Sequence, residues 1–296
     1  MYEKLKECPV CSSDNITNHS VIKDHSVSKE SFVIMLCDNC NFQFTNPRPD
    51  HSQIARFYQS QNYISHTNKG NNPINLLYKI VRNYSTAQKI KLIKTITNRK
   101  NGKIFDYGIG TGYFLKAIEQ AGWRVTGLEP DTAARNLAET STGITIHSDL
   151  SKIIDNNEKF DLITLWHVLE HVHDVNEVFI KLKTLLKEKG KMLIAVPNVD
   201  SFDNNLFQEH WAAYDVPRHL YHFNQESMKT FVMKHGMKVK KVHPMKFDSF
   251  YISMLSNKYK TGSSNLLKSL ITGLQSNHYA KQHKNNYSSI IFEIRK

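Results

Sequence analysis

All four cysteines of the chain fall within its first 40 residues, as Cys8-Pro9-Val10-Cys11 and Cys37-Asp38-Asn39-Cys40. A two-residue gap lets one tight turn aim both sulfurs at a single ion, and two such pairs 25 residues apart match a four-thiolate zinc ribbon. Backbone N–H groups of each turn can hydrogen-bond the thiolates, and Ser12 and Asn41 follow the pairs. Asparagine tolerates the left-handed backbone that such turns often need. Disulfides or idle thiols are the alternative, a poor one for a chain that reads as cytoplasmic. Four sulfurs close the coordination shell, so the zinc is expected to be structural rather than catalytic. With every cysteine so placed, none remains for chemistry that runs through a cysteine adduct.

A second set of residues lies between 104 and 150. Ile104-Phe105-Asp106-Tyr107-Gly108-Ile109-Gly110-Thr111-Gly112-Tyr113 reads as a buried strand ending in a glycine turn that opens a helix. Glycines let the backbone pass close to a ligand, and a helix N-terminus offers free N–H groups. The spacing puts Tyr113 where a dinucleotide-binding turn has its third glycine, which disfavours NAD-dependent redox chemistry. Asp106 precedes the turn, where it either meets the ligand or only orients the loop. The next strand closes with Gly127-Leu128-Glu129-Pro130-Asp131, placing a carboxylate to accept from two ribose hydroxyls. Ser148-Asp149-Leu150 ends the third strand, where Asp149 is either a partner for an adenine amino group or a turn residue.

The elements that must hold these residues follow from periodicity. Short apolar runs at 103–107, 124–129, 144–147, 160–166 and 191–196 alternate with helical stretches at 112–121, 131–140, 172–188 and 225–235. This alternation predicts a parallel sheet with crossover helices. Two further strands are expected at 238–243 and 289–295, with an insertion over about 244–287 that is plausibly helical at 251–258 and 266–274. The ribbon occupies 1–49. Leu77, Ile80, Val81, Tyr84, Ala87 and Ile90 recur at three- and four-residue steps and predict an amphipathic helical cap within 50–100. Residues 101–296 form the main domain. The N-terminus has no apolar leader, and no apolar run approaches the roughly 18 residues of a membrane span. A cytoplasmic location is therefore expected. The net charge of +12 is uneven: residues 50–100 carry 9 basic and 1 acidic side chains, and residues 238–296 carry 11 and 2. Such flanks favour acidic partners.

These residues resemble the class I S-adenosylmethionine-dependent methyltransferases, in which D-x-G-x-G-x-G after the first strand cradles the cofactor. The ubiquinone-pathway O-methyltransferases carry L-E-H-V-x-D after the fourth strand, here Leu169-Glu170-His171-Val172-His173-Asp174. A bacterial group with an N-terminal zinc ribbon adds an aromatic-rich D-x-P-R-H segment, here Asp215-Val216-Pro217-Arg218-His219. The resemblance implies a doubly wound, Rossmann-like, mostly parallel seven-stranded α/β sheet with its last strand antiparallel. It also implies S-adenosylmethionine contacts from Asp106, Tyr107, Gly108, Gly110, Gly112, Glu129, Pro130, Asp149, Leu150, Trp166 and His167.

Methyl transfer from a sulfonium is an in-line displacement helped mainly by proximity and, for some acceptors, by a base. Substrates of such folds sit at the carboxyl ends of the strands, near His167, His171, Tyr214, Arg218 and His219. His171 is the preferred base and His219 the second, although either can simply brace a loop. Arg218 is placed to clamp an anionic acceptor or to pair with Asp215. After strand four the chain reads Leu165-Trp166-His167-Val168, which lacks the Asn-Pro-Pro-Tyr pattern of exocyclic-amine methylation. The expected function is methyl transfer to a small-molecule acceptor at O, N or C. An RNA methyltransferase using the ribbon and basic flanks is disfavoured by the absence of an aromatic-basic stripe, and a non-catalytic binding protein by the intact loop. The apolar and basic 247–274 stretch is a candidate for peripheral membrane contact. The oligomeric state is not legible.

Overall fold

The computed structural model of the chain describes residues 1–58, 73–263 and 265–296. Of the helical stretch expected over 50–100, residues 59–72 therefore lie outside the described residues. The N-terminal part contains β1 (Tyr2–Glu3), β2 (Ile16–Lys23), β3 (Ser31–Cys37), β4 (Gln43–Thr45) and β5 (Arg48–Pro49), followed by a 3-10 turn at Ile54–Tyr58. Helix α1 (Pro73–Thr97) leads into β6 (Lys103–Tyr107), α2 (Tyr113–Gln120), β7 (Arg124–Leu128), α3 (Thr132–Thr142), β8 (Ile146–His147), α4 (Ser151–Asp155) and β9 (Phe160–Trp166). Next come α5 (Val175–Leu185), β10 (Leu186–Pro197), α6 (Phe202–Phe207), β11 (Tyr221–His222), α7 (Gln225–Lys234) and β12 (Lys238–Pro244). The hairpin α8 (Asp248–Thr261) and α9 (Leu266–Gln282) precedes the last strand, β13 (Ser289–Arg295).

Seven strands form one sheet in the order β12-β13-β10-β9-β6-β7-β8. Pairings from β10 through β8 are parallel, and β13 runs antiparallel to both neighbours. Both faces are covered, because alternate residues of β6 enter different cores. Phe105 packs with Phe160, Phe179 and Phe292, whereas Ile104 packs with Ile93, Phe114 and Leu193. A strand buried on both faces reads as a continuous apolar run, which is why the sequence reveals these strands. The edge is shorter than predicted. Strand β8 keeps only two residues, because Thr142 and Glu139 of α3 take the N–H groups of Ile144 and Ile146. Strand β10 starts earlier, at Leu186, with an irregularity before Lys191, so α5 stops at Leu185.

Helix α1 lies on the sheet through part of the face its apolar spacing predicts, with Ile90 packed against the core that holds Ile93 and Phe114. Tyr84 and Ala87 face outward, while Thr86 and Ile93 are buried. The long side chain of Lys89 also turns inward, which a pattern built on apolar residues alone does not register.

The ribbon and the larger domain share a sheet. Strands β2, β3 and β4 are antiparallel, and β11 adds to β4 with Tyr221 opposite Phe44 and His222 opposite Gln43. Phe42 and Phe44 join the core that contains Tyr221, Phe223 and Phe231. At the tip, Cys8 and Cys40 Sγ are 3.6 Å apart, Cys11 and Cys37 Sγ are 3.4 Å apart, and all four sulfurs lie within 4.8 Å of one another. Those separations exceed a disulfide bond of about 2.05 Å. They are close to the roughly 3.8 Å between sulfurs arranged tetrahedrally at about 2.3 Å from zinc. Ser12 and Asn41 both adopt positive φ, at 60° and 54°, and their N–H groups bond back to Cys8 and Cys37 carbonyls. Cys8, Cys11, Cys37 and Cys40 thus fit one structural zinc ion.

Arg218 fastens the ribbon from the other side. Its guanidinium is 1 % exposed and donates to Asp24 (2.9 Å), Asp215 (2.7 and 3.0 Å), the Phe57 carbonyl (2.8 Å) and Ser26 Oγ. Asp24 in turn accepts from the backbone N–H groups of Ser26, Val27 and Ser28 in the β2–β3 turn. A buried charge is tolerable only with such complete pairing.

Two outcomes follow from these anchors. Purified protein should carry one zinc per chain by elemental analysis, and a strong chelator should lower Tm by roughly 10 °C by removing ribbon folding energy. An unchanged melt after complete metal removal would contradict the structural role. For Asp24, burial would raise the carboxyl pKa, but the Arg218 guanidinium and the turn N–H groups overcome this and hold it well below the usual carboxylate range. As pH falls, the unfolded chain takes up this proton first. The pair's stability is therefore fully present above about pH 4 and is lost as pH drops below it. Asp24→Asn should cost about 3 kcal/mol at pH 7, and the gap to wild type should narrow below pH 4 in denaturant melts. A pH-independent gap would show that the charge of Asp24 contributes nothing.

Candidate active site

The carboxyl ends of β6, β7 and β9 meet at one edge of the sheet. After Tyr107 the chain turns through Gly108 at φ +76° and Gly110 at φ +54°, a left-handed region costly for other residues. The N–H groups of Gly108 and Ile109 both donate to the Leu128 carbonyl, which fastens the turn to β7. A Cβ at Gly108 would enter the Val168 side chain after β9 at 2.6 Å, so the two loops touch. A Cβ at Gly110 would meet nothing within 4 Å. That flank is open. Gly112 caps α2, and its neighbour Tyr113 is exposed.

Glu129 lies beside the open flank. One of its oxygens accepts from the Gly110 N–H at 2.8 Å and the other from the Asp131 N–H at 3.1 Å. Burial raises its pKa against these two donors. Arg135 donates to the carbonyls of Glu129 and Pro130 and fixes the turn that carries them. Tyr107 is half-buried, and burial pushes its phenol up to about 12. Asp149 is exposed and accepts from the Ser151 N–H at 2.6 Å, the turn-residue geometry, while Leu150 is buried beside it.

Asp106 points into the sheet edge and accepts from Thr164 Oγ1 at 2.5 Å. Burial raises its carboxyl to about 7, opposed by that hydrogen bond and by the Lys89 ammonium. Lys89 reaches in from α1, with Nζ 4.3 Å from the Trp166 ring centroid and 5.8 Å from that of Phe114. Trp166 Nε1 is buried and has no partner among the described residues. An open glycine flank, a carboxylate at its side, an unpartnered indole N–H and an ammonium-accepting aromatic wall fit an adenosyl cofactor with a cationic centre.

The loop after β9 gathers three titratable side chains, His167, Glu170 and His171. His167 sits at φ +56° with Nδ1 3.3 Å from Glu170 and Nε2 2.9 Å from Asp248. Burial alone would lower its pKa, but the two carboxylates reverse this and raise it to about 10. Both nitrogens therefore donate, and His167 offers no lone pair to act as a base. His171 differs. Its Nδ1 lies 3.0 Å from both the Arg218 carbonyl and Tyr58 Oη, and burial together with neighbouring His219 lowers it to about 4. His219 Nδ1 is 2.8 Å from the Ala213 carbonyl, and its ring meets His171 edge-on at 4.6 Å. Carbonyls are pure acceptors, so each Nδ1 carries a proton, and neutral His171 keeps its lone pair on Nε2. Glu170 Oε2 is buried and has no hydrogen-bond partner among the described residues, and Glu170, His171 and His219 bring donor atoms within 4.8 Å of one another. This trio can take a proton from a group placed among them, and it is compact enough to close on a cation.

The structure does not bring the remaining candidates to this point. Of the two roles open to Arg218, anion clamp or partner of Asp215, the structure takes the second: its guanidinium is spent in the buried cluster with Asp24 and Asp215, and only its carbonyl reaches the site. Tyr214 is buried against Trp211 and His222 in the ribbon-side core. Conversely, three contributors are absent from the sequence expectations: Lys89, Asp248 and the carboxylate of Glu170. Asp248 carried one clue, being one of only two acids in a 59-residue stretch with 11 basic residues. An isolated acid in such a segment has to face something.

Comparison with known proteins bears on the family and the fold. A family model described as a methyltransferase domain matches residues 80–242. The ubiquinone biosynthesis O-methyltransferase of Haemophilus ducreyi is 32% identical over 161 residues, 50% of this chain and 65% of that protein. That of Actinobacillus pleuropneumoniae is 35% identical over 119 residues, 35% of this chain and 50% of that protein. The chain thus spans less than two thirds of the length of these curated relatives. Among solved structures, magnesium protoporphyrin IX methyltransferase from Synechocystis PCC 6803 with bound SAH superposes with a TM-score of 0.54 at 13% identity. The match covers 83% of this chain and 100% of that one, a likeness of fold. The family match takes in the glycine turn, Glu129, Trp166 and the Glu170–His171 pair, and the chain belongs to the methyltransferase-domain family.

Proposed function

We propose that the chain transfers the methyl group of S-adenosylmethionine to a hydroxyl oxygen of a small acceptor. The observation that carries this reading is the contact between two loops at one sheet edge. The open Gly110 flank with Glu129 lies on one loop, and the Glu170–His171–His219 trio lies beside the other, joined where Gly108 meets Val168. The relatives named for ubiquinone biosynthesis act on oxygen, which favours a hydroxyl acceptor.

Bound S-adenosylmethionine supplies an electrophilic methyl group on a sulfonium. The chain's own residues do the rest. Glu129 is oriented by the Gly110 and Asp131 N–H groups and accepts from the ribose hydroxyls. The Trp166 face and the Asp106 carboxylate line the region that receives the positive charge. Lys89 already sits over Trp166, so a cationic ligand has to displace this ammonium along the ring. Proton removal falls to His171, with His219 beside it. His171 is neutral at physiological pH because burial opposes its charging. Its Nε2 lone pair is available when the acceptor hydroxyl loses its proton. Glu170 lies next to the imidazolium so formed and compensates its charge. His167 keeps Glu170 ionised, because their contact lowers the carboxyl pKa against its burial.

Calorimetry with S-adenosylhomocysteine should give one-to-one binding in the micromolar range, as for a preformed site. Glu129→Ala should weaken it by about 10- to 100-fold, the loss of hydrogen bonds to a charged group. With hydroxylated aromatic acceptors and radiolabelled donor, His171→Gln should lower kcat by about 100-fold or more while leaving S-adenosylhomocysteine affinity unchanged. Absence of S-adenosylhomocysteine binding would overturn the cofactor assignment. Full turnover by His171→Gln would overturn the assignment of the base alone.

A further inference from the structure

The hairpin α8–α9 is built inside out. The side of α9 that faces the protein is Ser269, Thr272, Gly273, Ser276 and Ala280, each no more than 4 % exposed where a value applies. Helix α8 buries Ser249 and Asn257 against it, through Ser249 Oγ to the Gly273 carbonyl and Asn257 Nδ2 to Ser269 Oγ, and Gly273 lies on the Phe250 ring with no room for a Cβ. The outward side carries Leu266, Leu267, Leu270, Ile271 and Leu274, which are between 47 and 69 % exposed. At 100° per residue these five span a stripe of about 140°. Small hydroxyl residues inside and branched aliphatics outside are the reverse of a water-facing helix.

The charges around the stripe identify its occupant. Lys246, Lys258, Lys260, Lys268, Lys281 and Lys284 are all exposed. Asp248 is the only acid between 244 and 287, and its carboxylate is turned toward His167 at 2.9 Å. Lys258, Lys260 and Lys268 flank the connection between the helices, where Leu266 and Leu267 are the most exposed members of the stripe. A second copy docking through the same face would set these lysines against their own equivalents across an isologous contact. An apolar stripe on a hairpin that carries six exposed lysines and a single, inward-turned acid instead complements a bilayer surface rich in anionic headgroups, with leucines entering the acyl boundary and lysines at the phosphates. We infer that the outward face of α8–α9 docks the protein reversibly on anionic membrane. This surface stands independently of the methyl-transfer reading, although its root at Asp248 touches the candidate active site.

The test is sedimentation of the full, zinc-replete chain with vesicles of phosphatidylglycerol and phosphatidylcholine, against pure phosphatidylcholine, at low and high salt. Wild type should pellet with the anionic vesicles at low salt and be released by salt. Leu267→Asp and Leu270→Asp should each lower the partition coefficient about tenfold with an unchanged melting temperature, because both positions already face water. A combined Lys258→Glu, Lys260→Glu, Lys268→Glu variant should abolish the preference for anionic vesicles and serves as an independent check if an aspartate variant folds poorly. Recovery in the supernatant at low salt would overturn the inference, as would equal pelleting by wild type and the variants. So would a wild-type dimer that Leu270→Asp dissociates while vesicles pellet neither, because a second copy would then cover the stripe.

Discussion

A single buried guanidinium couples the ribbon to the catalytic edge. Arg218 reaches Asp24 in the β2–β3 turn, the Phe57 carbonyl in the segment after the ribbon, and Asp215 in its own loop. Burying an unpaired arginine would be prohibitive, so these partners must assemble together or not at all. The backbone of the same residue faces the other way, and its carbonyl accepts from His171. The imidazole that is proposed to take the proton is thus oriented by a residue whose own position depends on the ribbon. This gives the zinc, far from the glycine turn in sequence, a physical route to the chemistry: the metal fixes the ribbon, the ribbon supplies Asp24, and Asp24 holds Arg218. Strand β11 reinforces this route by pairing with β4 one turn of chain after His219.

The histidines after β9 show how environment separates identical side chains. His167 bridges Glu170 and Asp248 and is held as a cation, whereas His171, backed by a carbonyl and pressed against His219, is held neutral. Four residues apart, the two occupy opposite protonation states near neutral pH. The positive φ of His167 is the backbone counterpart of this division, since it swings the ring away from the direction the strand would give it. Strain of that kind is tolerated where surrounding contacts over-determine the position, and here two carboxylates do so.

Much of this was legible in the sequence because it depends on local rules. Two C-x2-C pairs can close only on a metal in a reducing setting, and Asp106-x-Gly108-x-Gly110-x-Gly112 after an apolar run forces a strand, a left-handed turn and a helix. The parallel strands were visible as apolar runs because both sheet faces are covered. What escaped depends on partners distant in sequence. Arg218 reads as an anion clamp or a partner of nearby Asp215, and only the second partner, Asp24, 194 residues away, is out of view. Lys89 escapes because periodicity counts apolar residues and cannot register a lysine that turns toward Asp106 and Asp248. The short β8 escaped for a different reason: Glu139 and Thr142 compete for its N–H groups, a contest that propensity does not resolve.

The distribution of charge ties these parts together. The chain as a whole is strongly basic, yet the sheet edge gathers Asp106, Glu129, Glu170 and Asp248, with His167 and Lys89 as the nearby cations. Surface charges farther apart than about 8–10 Å are largely screened at physiological salt, whereas partly buried ones are not. A ligand at the edge therefore responds to the local carboxylates rather than to the net charge of +12. A sulfonium suits that basin, and under the proposed reaction an acceptor oxygen losing its proton there meets the neutral His171 imidazole rather than a further anion. The surplus lysines act over a different range, on the outward flanks, where a large anionic surface can engage many of them at once. One chain can in this way hold a cationic cofactor at its sheet edge and present a positive exterior without the two fields opposing each other.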